Sequence, residues 1–176
     1  IGAMVGENLK ISNIIPEHIE ALLLKMKEMG INYEDDDESI TISAPNYKLK
    51  PVKIKTLGYP GFATDLQQPV TPLLCKATGI SKLEETIYEN RFNNVPYLNE
   101  MGANIEIKGR ELKISGPISF KGNTVEASDL RAGASLLVAA LASEGETTIK
   151  NVNHILRGYD NLVEKLKKVG ADIELV

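Results

Sequence analysis

Apolar side chains recur with helical spacing in two stretches of the chain. Positions i, i+3, i+4 and i+7 are apolar in both: Ile19, Leu22, Leu23 and Met26, then Tyr159, Leu162, Val163 and Leu166. This spacing places the side chains on one face of an α-helix, so each stretch predicts a helix that packs against a core. A third stretch, residues 132–142, is apolar on all sides and rich in Ala, which indicates a buried helix.

Short segments between the helices predict strands. The predicted strands are residues 40–43, 52–56, 84–88, 106–107, 112–115, 125–127 and 148–150. Lys108-Gly109-Arg110 lies between two of these runs and predicts the turn of a β-hairpin. Because helices and strands alternate along the chain, the pattern predicts an α/β fold.

The same helix ending occurs three times at near-regular intervals. Predicted helices end at Gly30, Gly102 and Gly170, and extended segments are predicted directly after them, at 31–34, 103–106 and 171–174. Glycine is expected just beyond a helix because φ is positive there and a Cβ is penalised. The recurrence predicts a fold built from repeated units.

A second recurring element begins helices. Thr64-Asp65-Leu66 is repeated as Ser128-Asp129-Leu130 in the next unit. In both copies we predict that the hydroxyl residue caps the helix N-terminus. The Asp is then expected in the first turn, where the helix dipole favours a carboxylate.

These patterns divide the chain into three β–α–β–α–β–β repeats within one domain. The repeats cover approximately residues 1–45 (partial), 46–116 and 117–176 (partial). Residues 8–30 resemble 147–170, but the helix expected before them is represented only by Ile1–Met4. We therefore expect an incomplete domain that is cut inside its first repeat, with apolar surface that a partner segment fills.

Composition excludes several classes of function. The 176 residues are 43% hydrophobic and carry a formal net charge of -4, which argues against broad binding to nucleic acid or anionic membranes. No apolar run reaches the length of a membrane span. The single Cys75 can form no internal disulfide, and with two His it makes no convincing metal site. A cytoplasmic protein is expected, and any anionic ligand would need a local cluster of arginines.

Three stretches carry a resemblance to a known family. They are Gly58–Gln67, Glu85–Phe92, and Asp129–Ala132 followed by Arg157–Tyr159. In order and spacing they resemble the UDP-N-acetylglucosamine 1-carboxyvinyltransferases, enolpyruvyl transferases of the EPSP synthase-like family. The resemblance implies two similar domains, each an inside-out α/β barrel of three repeats. It also implies that this chain is the C-terminal domain and that its partner is an N-terminal domain of the same polypeptide.

The resemblance implies a reaction as well. The enolpyruvyl group of phosphoenolpyruvate passes to the 3-hydroxyl of UDP-N-acetylglucosamine and phosphate is released, which is the first committed step of peptidoglycan synthesis. No cofactor and no metal are implied. An active-site Cys, and a Lys and an Arg that hold phosphoenolpyruvate, belong to the N-terminal domain in this family. The chain alone is therefore expected to be inactive.

Two acidic residues are the candidate proton carriers. Asp65 matches the family's general base, which takes a proton from the sugar hydroxyl or from the methyl group of the intermediate. Asp129 occupies the same place in the next repeat, where a catalytic role and a structural helix cap are both open. Arg131 lies in the first helical turn, where a cation is unfavourable for the dipole unless an anion binds there. The resemblance assigns it to the phosphate or carboxylate of the substrate.

The remaining candidates bind substrate. Arg157 matches an arginine that contacts phosphoenolpyruvate, Arg91 matches one in the same cleft, and Ile87 matches a position whose backbone touches the sugar nucleotide. Family members usually have Asp where this chain has Leu156, which puts the strength of the contact made by Arg157 in doubt.

Two alternatives remain open at this point. The first is the sister enzyme that transfers enolpyruvyl to shikimate 3-phosphate, with the same fold. The second is a non-catalytic binding module that has kept the scaffold.

Overall fold

The computed structural model describes residues 1–176, and it alternates short helices and strands throughout. The helices are α1 (Gly2–Val5), α2 (Glu20–Met29), α3 (Gln67–Leu74), α4 (Val95–Glu100), α5 (Leu130–Leu141), α6 (Asn153–Leu156) and α7 (Leu162–Lys168). The strands are β1 (Leu9–Ser12), β2 (Tyr33–Asp35), β3 (Ser39–Ile42), β4 (Lys53–Lys55), β5 (Gly79–Glu84), β6 (Ile105–Lys108), β7 (Glu111–Gly116), β8 (Phe120–Lys121), β9 (Thr124–Glu126), β10 (Ser143–Glu144) and β11 (Thr148–Lys150). None of the helices is both long and apolar enough to cross a bilayer.

The first unit contains α1, α2 and a small antiparallel sheet in the order β1-β3-β2. Helix α2 ends as expected, because Gly30 has φ of 92° and its amide bonds back to the last turn. Gly102 and Gly170 also have positive φ, at 97° and 94°. The glycine pattern therefore correctly located three helix ends, since each depends only on local backbone conformation.

The second unit has the complete order β4–α3–β5–α4–β6–β7, and its strands form one sheet in the order β4-β5-β7-β6. Helix α3 connects the parallel pair β4 and β5, and β6 and β7 form the predicted hairpin, with Gly109 and Arg110 as its turn. The predicted strand at 84–88 was wrong, because β5 occupies Gly79–Glu84 instead. The amides of Ile87 and Tyr88 bond to the Glu85 carboxylate, so they cannot pair with a neighbouring strand.

The third unit repeats the parallel arrangement with shorter strands. β10 pairs with β8 and β11 pairs with β9, in both cases across helix α5. Helix α5 confirms the prediction of a buried helix in the apolar 132–142 stretch. The predicted extended segment at 171–174 is not a strand, because it has no neighbouring strand with which to form a ladder.

The core lies between the sheets and two central helices. α3 and α5 pack against each other, and side chains from both are fully buried, such as Leu74 and Leu136. An apolar groove of about 380 Å³ remains beside them, lined by residues of α1, α2, α3, α5 and α7 that include Met4, Leu73 and Leu137. The groove adjoins α1, the four-residue helix that lies where comparison of the repeats predicts a longer one.

Candidate active site

A carboxylate and two arginines meet where the second and third units face each other. Asp65 lies in a short 3₁₀ helix, Thr64–Leu66, directly before α3. Arg131 lies in the first turn of α5, and Arg91 lies in the loop between β5 and α4. Asp65 Oδ1 accepts a hydrogen bond from Arg131 Nε at 2.7 Å and a longer one from Arg91 Nη2 at 3.4 Å. Three of the residues predicted from sequence are thus brought into one cluster.

The ion pairs change the proton affinity of this cluster. The hydrogen bond from Arg131 holds the pKa of Asp65 below its ordinary value of 3.8, against the opposing effect of partial burial. The pKa of Arg131 is raised by the same hydrogen bond. Because the pKa of Asp65 is depressed in the folded state, this pair stabilises the fold above pH 3.8 and loses that effect as pH falls through the depressed pKa. Both guanidinium groups of this cluster are of the kind that binds phosphate and carboxylate groups.

Asp129 is the N-cap of α5. Its Oδ1 accepts hydrogen bonds from the backbone amides of Arg131 at 2.8 Å and Ala132 at 3.0 Å. The prediction that Ser128 caps this helix was therefore wrong. Asp129 has the extended backbone that an N-cap requires, and its carboxylate reaches two amides at once. Its other oxygen, Oδ2, has only a weak contact with the Ser128 hydroxyl, at 3.4 Å.

The corresponding hydroxyl in the second unit is also not a cap. Thr64 makes no side-chain bond to the helix amides, and its Oγ1 donates to Glu85 Oε2 at 2.7 Å. The same oxygen accepts a 2.6 Å bond from Arg91 Nη1. The hydroxyl is engaged by a buried carboxylate, which leaves the first amides of α3 without a side-chain acceptor.

Arg157 lies outside this cluster. It is exposed in the bend between α6 and α7, and its side chain forms no ion pair with the rest of the chain. Tyr159, two residues further on, is half-buried, and burial raises its pKa while nearby Arg131 lowers it. The segment 157–159 therefore borders the cluster through Tyr159, and the guanidinium of Arg157 is free to contact a ligand.

The loop after β5 presents both apolar and charged groups beside the cluster. Ile87 is 45% exposed and Tyr88 is 54% exposed, and the Arg91 guanidinium lies 4.4 Å from the centre of the Tyr88 ring. This cation–π contact adds a further restraint on Arg91.

Sequence reasoning missed Glu85 as part of the site, although it lies in one of the three family-like stretches. A signal was present: Ser81, Leu83 and Glu85 alternate along one face of β5 and its extension, and all three are buried. An acid that continues an inward-facing alternation is a candidate for a buried, hydrogen-bonded carboxylate. No group of three or more His, Cys, Asp or Glu in the chain is arranged to hold a metal ion.

Comparison with known proteins identifies the family to which this fold belongs. A sequence profile of the family described as EPSP synthase (3-phosphoshikimate 1-carboxyvinyltransferase) matches residues 1–166, and the chain belongs to this family. The enolpyruvyl transferase NikO from Streptomyces tendae superposes with a TM-score of 0.90 at 31% identity, over 98% of this chain and 41% of that one. EPSP synthase from Acinetobacter baumannii superposes with a TM-score of 0.66 at 18% identity, which supports the fold alone. The predicted fold class is confirmed.

Other relatives share more of the sequence and carry the name of one branch of the family. The chain is 48% identical, over all 176 residues, to UDP-N-acetylglucosamine 1-carboxyvinyltransferase 2 of Streptococcus thermophilus, and covers 42% of that protein. It is also 48% identical over 172 residues to UDP-N-acetylglucosamine 1-carboxyvinyltransferase 2 of Bacillus subtilis, and covers 40% of it. The resemblance inferred from the three sequence stretches is confirmed. The chain spans about two fifths of the length of these relatives.

Proposed function

We propose that the protein containing this chain transfers the enolpyruvyl group of phosphoenolpyruvate to the 3-hydroxyl of UDP-N-acetylglucosamine, with release of phosphate. The observation that carries the proposal is the meeting of Asp65, Arg91 and Arg131 at one point between two units. The identity of the chain to relatives named for this sugar nucleotide supports the choice of acceptor. The product would then enter peptidoglycan synthesis.

The reaction has two proton-coupled steps. First, the sugar oxygen bonds to C2 of phosphoenolpyruvate while the hydroxyl loses its proton and C3 gains one. Then a methyl proton leaves, the C2–C3 double bond re-forms, and the bond from C2 to the phosphate oxygen breaks. The site must therefore supply a base, an acid and cations for the phosphate and carboxylate groups.

The residues of this chain divide these tasks. Asp65 is the base for the hydroxyl, and Asp129, through its nearly free Oδ2, is the candidate for the second proton transfer. Arg131, Arg91 and Arg157 receive the phosphate and carboxylate groups. The ion pair with Arg131 weakens Asp65 as a base, since a useful general base has a pKa nearer the working pH. When Arg131 turns toward the substrate anion, the basicity of Asp65 rises, which couples base strength to substrate binding.

The N-terminal domain of the same polypeptide is the expected partner. We propose that the reaction occurs in a cleft between the two domains and that closure excludes water and brings Arg157 to the substrate. No cofactor or metal ion enters this scheme. A cytoplasmic location completes the proposal, in keeping with a single, buried and unpaired cysteine.

Phosphate release tests the proposal directly. The complete polypeptide encoded by the gene is assayed with phosphoenolpyruvate and either UDP-N-acetylglucosamine or shikimate 3-phosphate, and the 176-residue chain is run beside it. We expect release by the complete protein with the sugar nucleotide only. Release with shikimate 3-phosphate instead would support the sister activity, which is the alternative suggested by the description of the family profile. No release with either acceptor would favour a non-catalytic binding module.

Substitution of the base is the sharper test. Asp65→Ala in the complete protein should lower kcat by at least about 100-fold while UDP-N-acetylglucosamine still binds. Asp37→Ala is the matched control, because Asp37 is an exposed carboxylate outside the proposed site. Near-normal turnover in Asp65→Ala would remove Asp65 from the proposed mechanism.

A further inference from the structure

Glu85 is a charged side chain in an interior that otherwise excludes charge. It is 1% exposed and is the only Asp, Glu, Lys or Arg among the 46 buried residues. A buried carboxylate is costly unless hydrogen bonds replace its lost hydration. Its carboxylate makes no direct hydrogen bond with Asp65, Arg91 or Arg131, so a reason for its burial has to come from the other bonds that it accepts.

Four donors from three separate segments surround the carboxylate. Oε1 accepts from Thr56 Oγ1 at 2.9 Å, from the Ile87 amide at 2.8 Å and from the Tyr88 amide at 3.1 Å. Oε2 accepts from Thr64 Oγ1 at 2.7 Å. Burial alone would raise the pKa of Glu85, but these bonds together hold its pKa below the ordinary value, so the group is ionised and accepts only. Glu85 thus ties the end of β4, the start of the Asp65 helix and the loop after β5 to one point.

The bond from Thr64 transmits this arrangement to the arginine. A threonine hydroxyl has a single hydrogen, and here Thr64 gives it to Glu85. Its oxygen lone pairs are therefore left for Arg91 Nη1, which donates to them at 2.6 Å. The other nitrogen of Arg91, Nη2, contacts Asp65. Because the Glu85 carboxylate can only accept, it fixes the direction of both hydrogen bonds: Thr64 donates to Glu85, and Arg91 donates to Thr64.

We propose that Glu85 is a positioning residue of the active site. It orients Arg91 through the Thr64 hydroxyl and holds the 86–88 backbone, including Ile87, in the conformation that faces the sugar nucleotide. The expected change in KM rests on the function proposed above. The expected effect of Glu85 on the conformation of residues 86–88 does not depend on that function.

Glu85→Gln is the informative variant because its shape is unchanged. If Oε1 keeps its three donors, the new Nε2 takes the place of Oε2 and faces the Thr64 hydroxyl. Two donors then face each other, so the Thr64 hydrogen must turn toward Arg91 and displace its guanidinium. Because Arg91 is assigned to the phosphate and carboxylate groups, we expect KM for phosphoenolpyruvate to rise about 10-fold or more, the usual effect of losing a hydrogen bond to a charged group, and kcat to change less.

Two further variants separate positioning from general stability. Glu84→Gln is the matched control: Glu84 is adjacent, is partly exposed and pairs only with Lys55. It should leave KM and kcat unchanged. Thr64→Val removes the hydroxyl from the series, so adding Glu85→Gln to it should raise KM much less than Glu85→Gln does alone.

Amide hydrogen exchange tests the positioning role of Glu85 without any assay of activity. In Glu85→Gln, a neutral amide oxygen replaces the carboxylate oxygen as acceptor and binds the amides of Ile87 and Tyr88 more weakly. These two amides should therefore exchange about 10-fold faster, while the amide of Leu83 in β5 keeps its rate. If the complete wild-type protein releases no phosphate, the proposed function fails, and the exchange result still decides whether Glu85 holds the loop. Unchanged exchange together with unchanged KM would overturn the proposal. Equal acceleration at Leu83, with a lower unfolding temperature, would also overturn it by showing a purely structural role.

Discussion

The Asp129 carboxylate has one oxygen in a helix cap and the other nearly free, so its two candidate roles can be separated by substitution. Asp129→Ala removes both cap hydrogen bonds and the charge at the N-terminus of α5. Loss of an N-cap of this kind costs about 1 kcal/mol, and loss of the favourable charge costs about 0.5 kcal/mol more. For a domain of this size, that sum corresponds to a decrease in unfolding temperature of roughly 3 to 6 °C.

Asp129→Asn keeps the cap, because the Asn side-chain oxygen is as good an acceptor at this position as that of Asp. Only the charge contribution of about 0.5 kcal/mol is then lost, a decrease of roughly 1 to 2 °C. If Oδ2 transfers a proton during the reaction, Asp129→Asn should nevertheless lower kcat by about 100-fold or more.

Thermal unfolding and phosphate release, measured on the complete enzyme and both variants, decide between the roles. Stability near wild type with low turnover in Asp129→Asn supports proton transfer. Turnover near wild type in Asp129→Asn would refute that role and leave Asp129 as a cap alone. A fall in unfolding temperature as large in Asn as in Ala would refute the cap argument itself.

Two further predictions concern the interior of the second unit. Gly116→Ala should destabilise the fold by about 1 to 3 kcal/mol in urea unfolding, because its Cβ would clash with the Cys75 carbonyl oxygen and lie 2.6 Å from that of Ala77. Gly58→Ala, whose Cβ meets nothing within 4 Å, is the control and should change stability by less than about 0.5 kcal/mol. Burial raises the pKa of the Cys75 thiol to about 12, so Cys75 should resist iodoacetamide at pH 8 in the folded protein and react on unfolding; rapid labelling of the folded protein would contradict its burial.

Features that depend on neighbouring residues in the chain were predictable, and features set by distant partners were less so. The helix ends at Gly30, Gly102 and Gly170 were located correctly because a positive φ is a local demand. The strand expected at 84–88 was misplaced because the amides of Ile87 and Tyr88 donate to a side-chain carboxylate and not to a neighbouring strand, which the local sequence does not reveal. Ser128 was chosen as a cap over Asp129 although both residues are good caps.

In the candidate site too, local features were predictable and contacts with distant residues were not. Asp65, Arg91 and Arg131 were selected from family-like stretches, but their meeting depends on how α3 and α5 pack, which no local pattern specifies. Arg157, which the resemblance assigns to phosphoenolpyruvate, is exposed between two short helices, and that role stays a prediction. Glu85 was overlooked. Contacts between repeats are long-range in sequence, so they follow from tertiary packing and not from motif spacing.

The parallel pairs that each enclose a helix, β4 with β5 around α3 and β9 with β11 around α5, have a consequence for the order of folding. Neither parallel strand pair can form until the intervening helix has folded back onto its strands. Both pairs therefore lose a large loop-closure entropy before their stabilising contacts are made. The β6–β7 hairpin closes through a two-residue turn and has no such delay. The hairpin is therefore expected to form first. The contact between the second and third units, where Asp65 and Arg131 meet, is expected to form among the last.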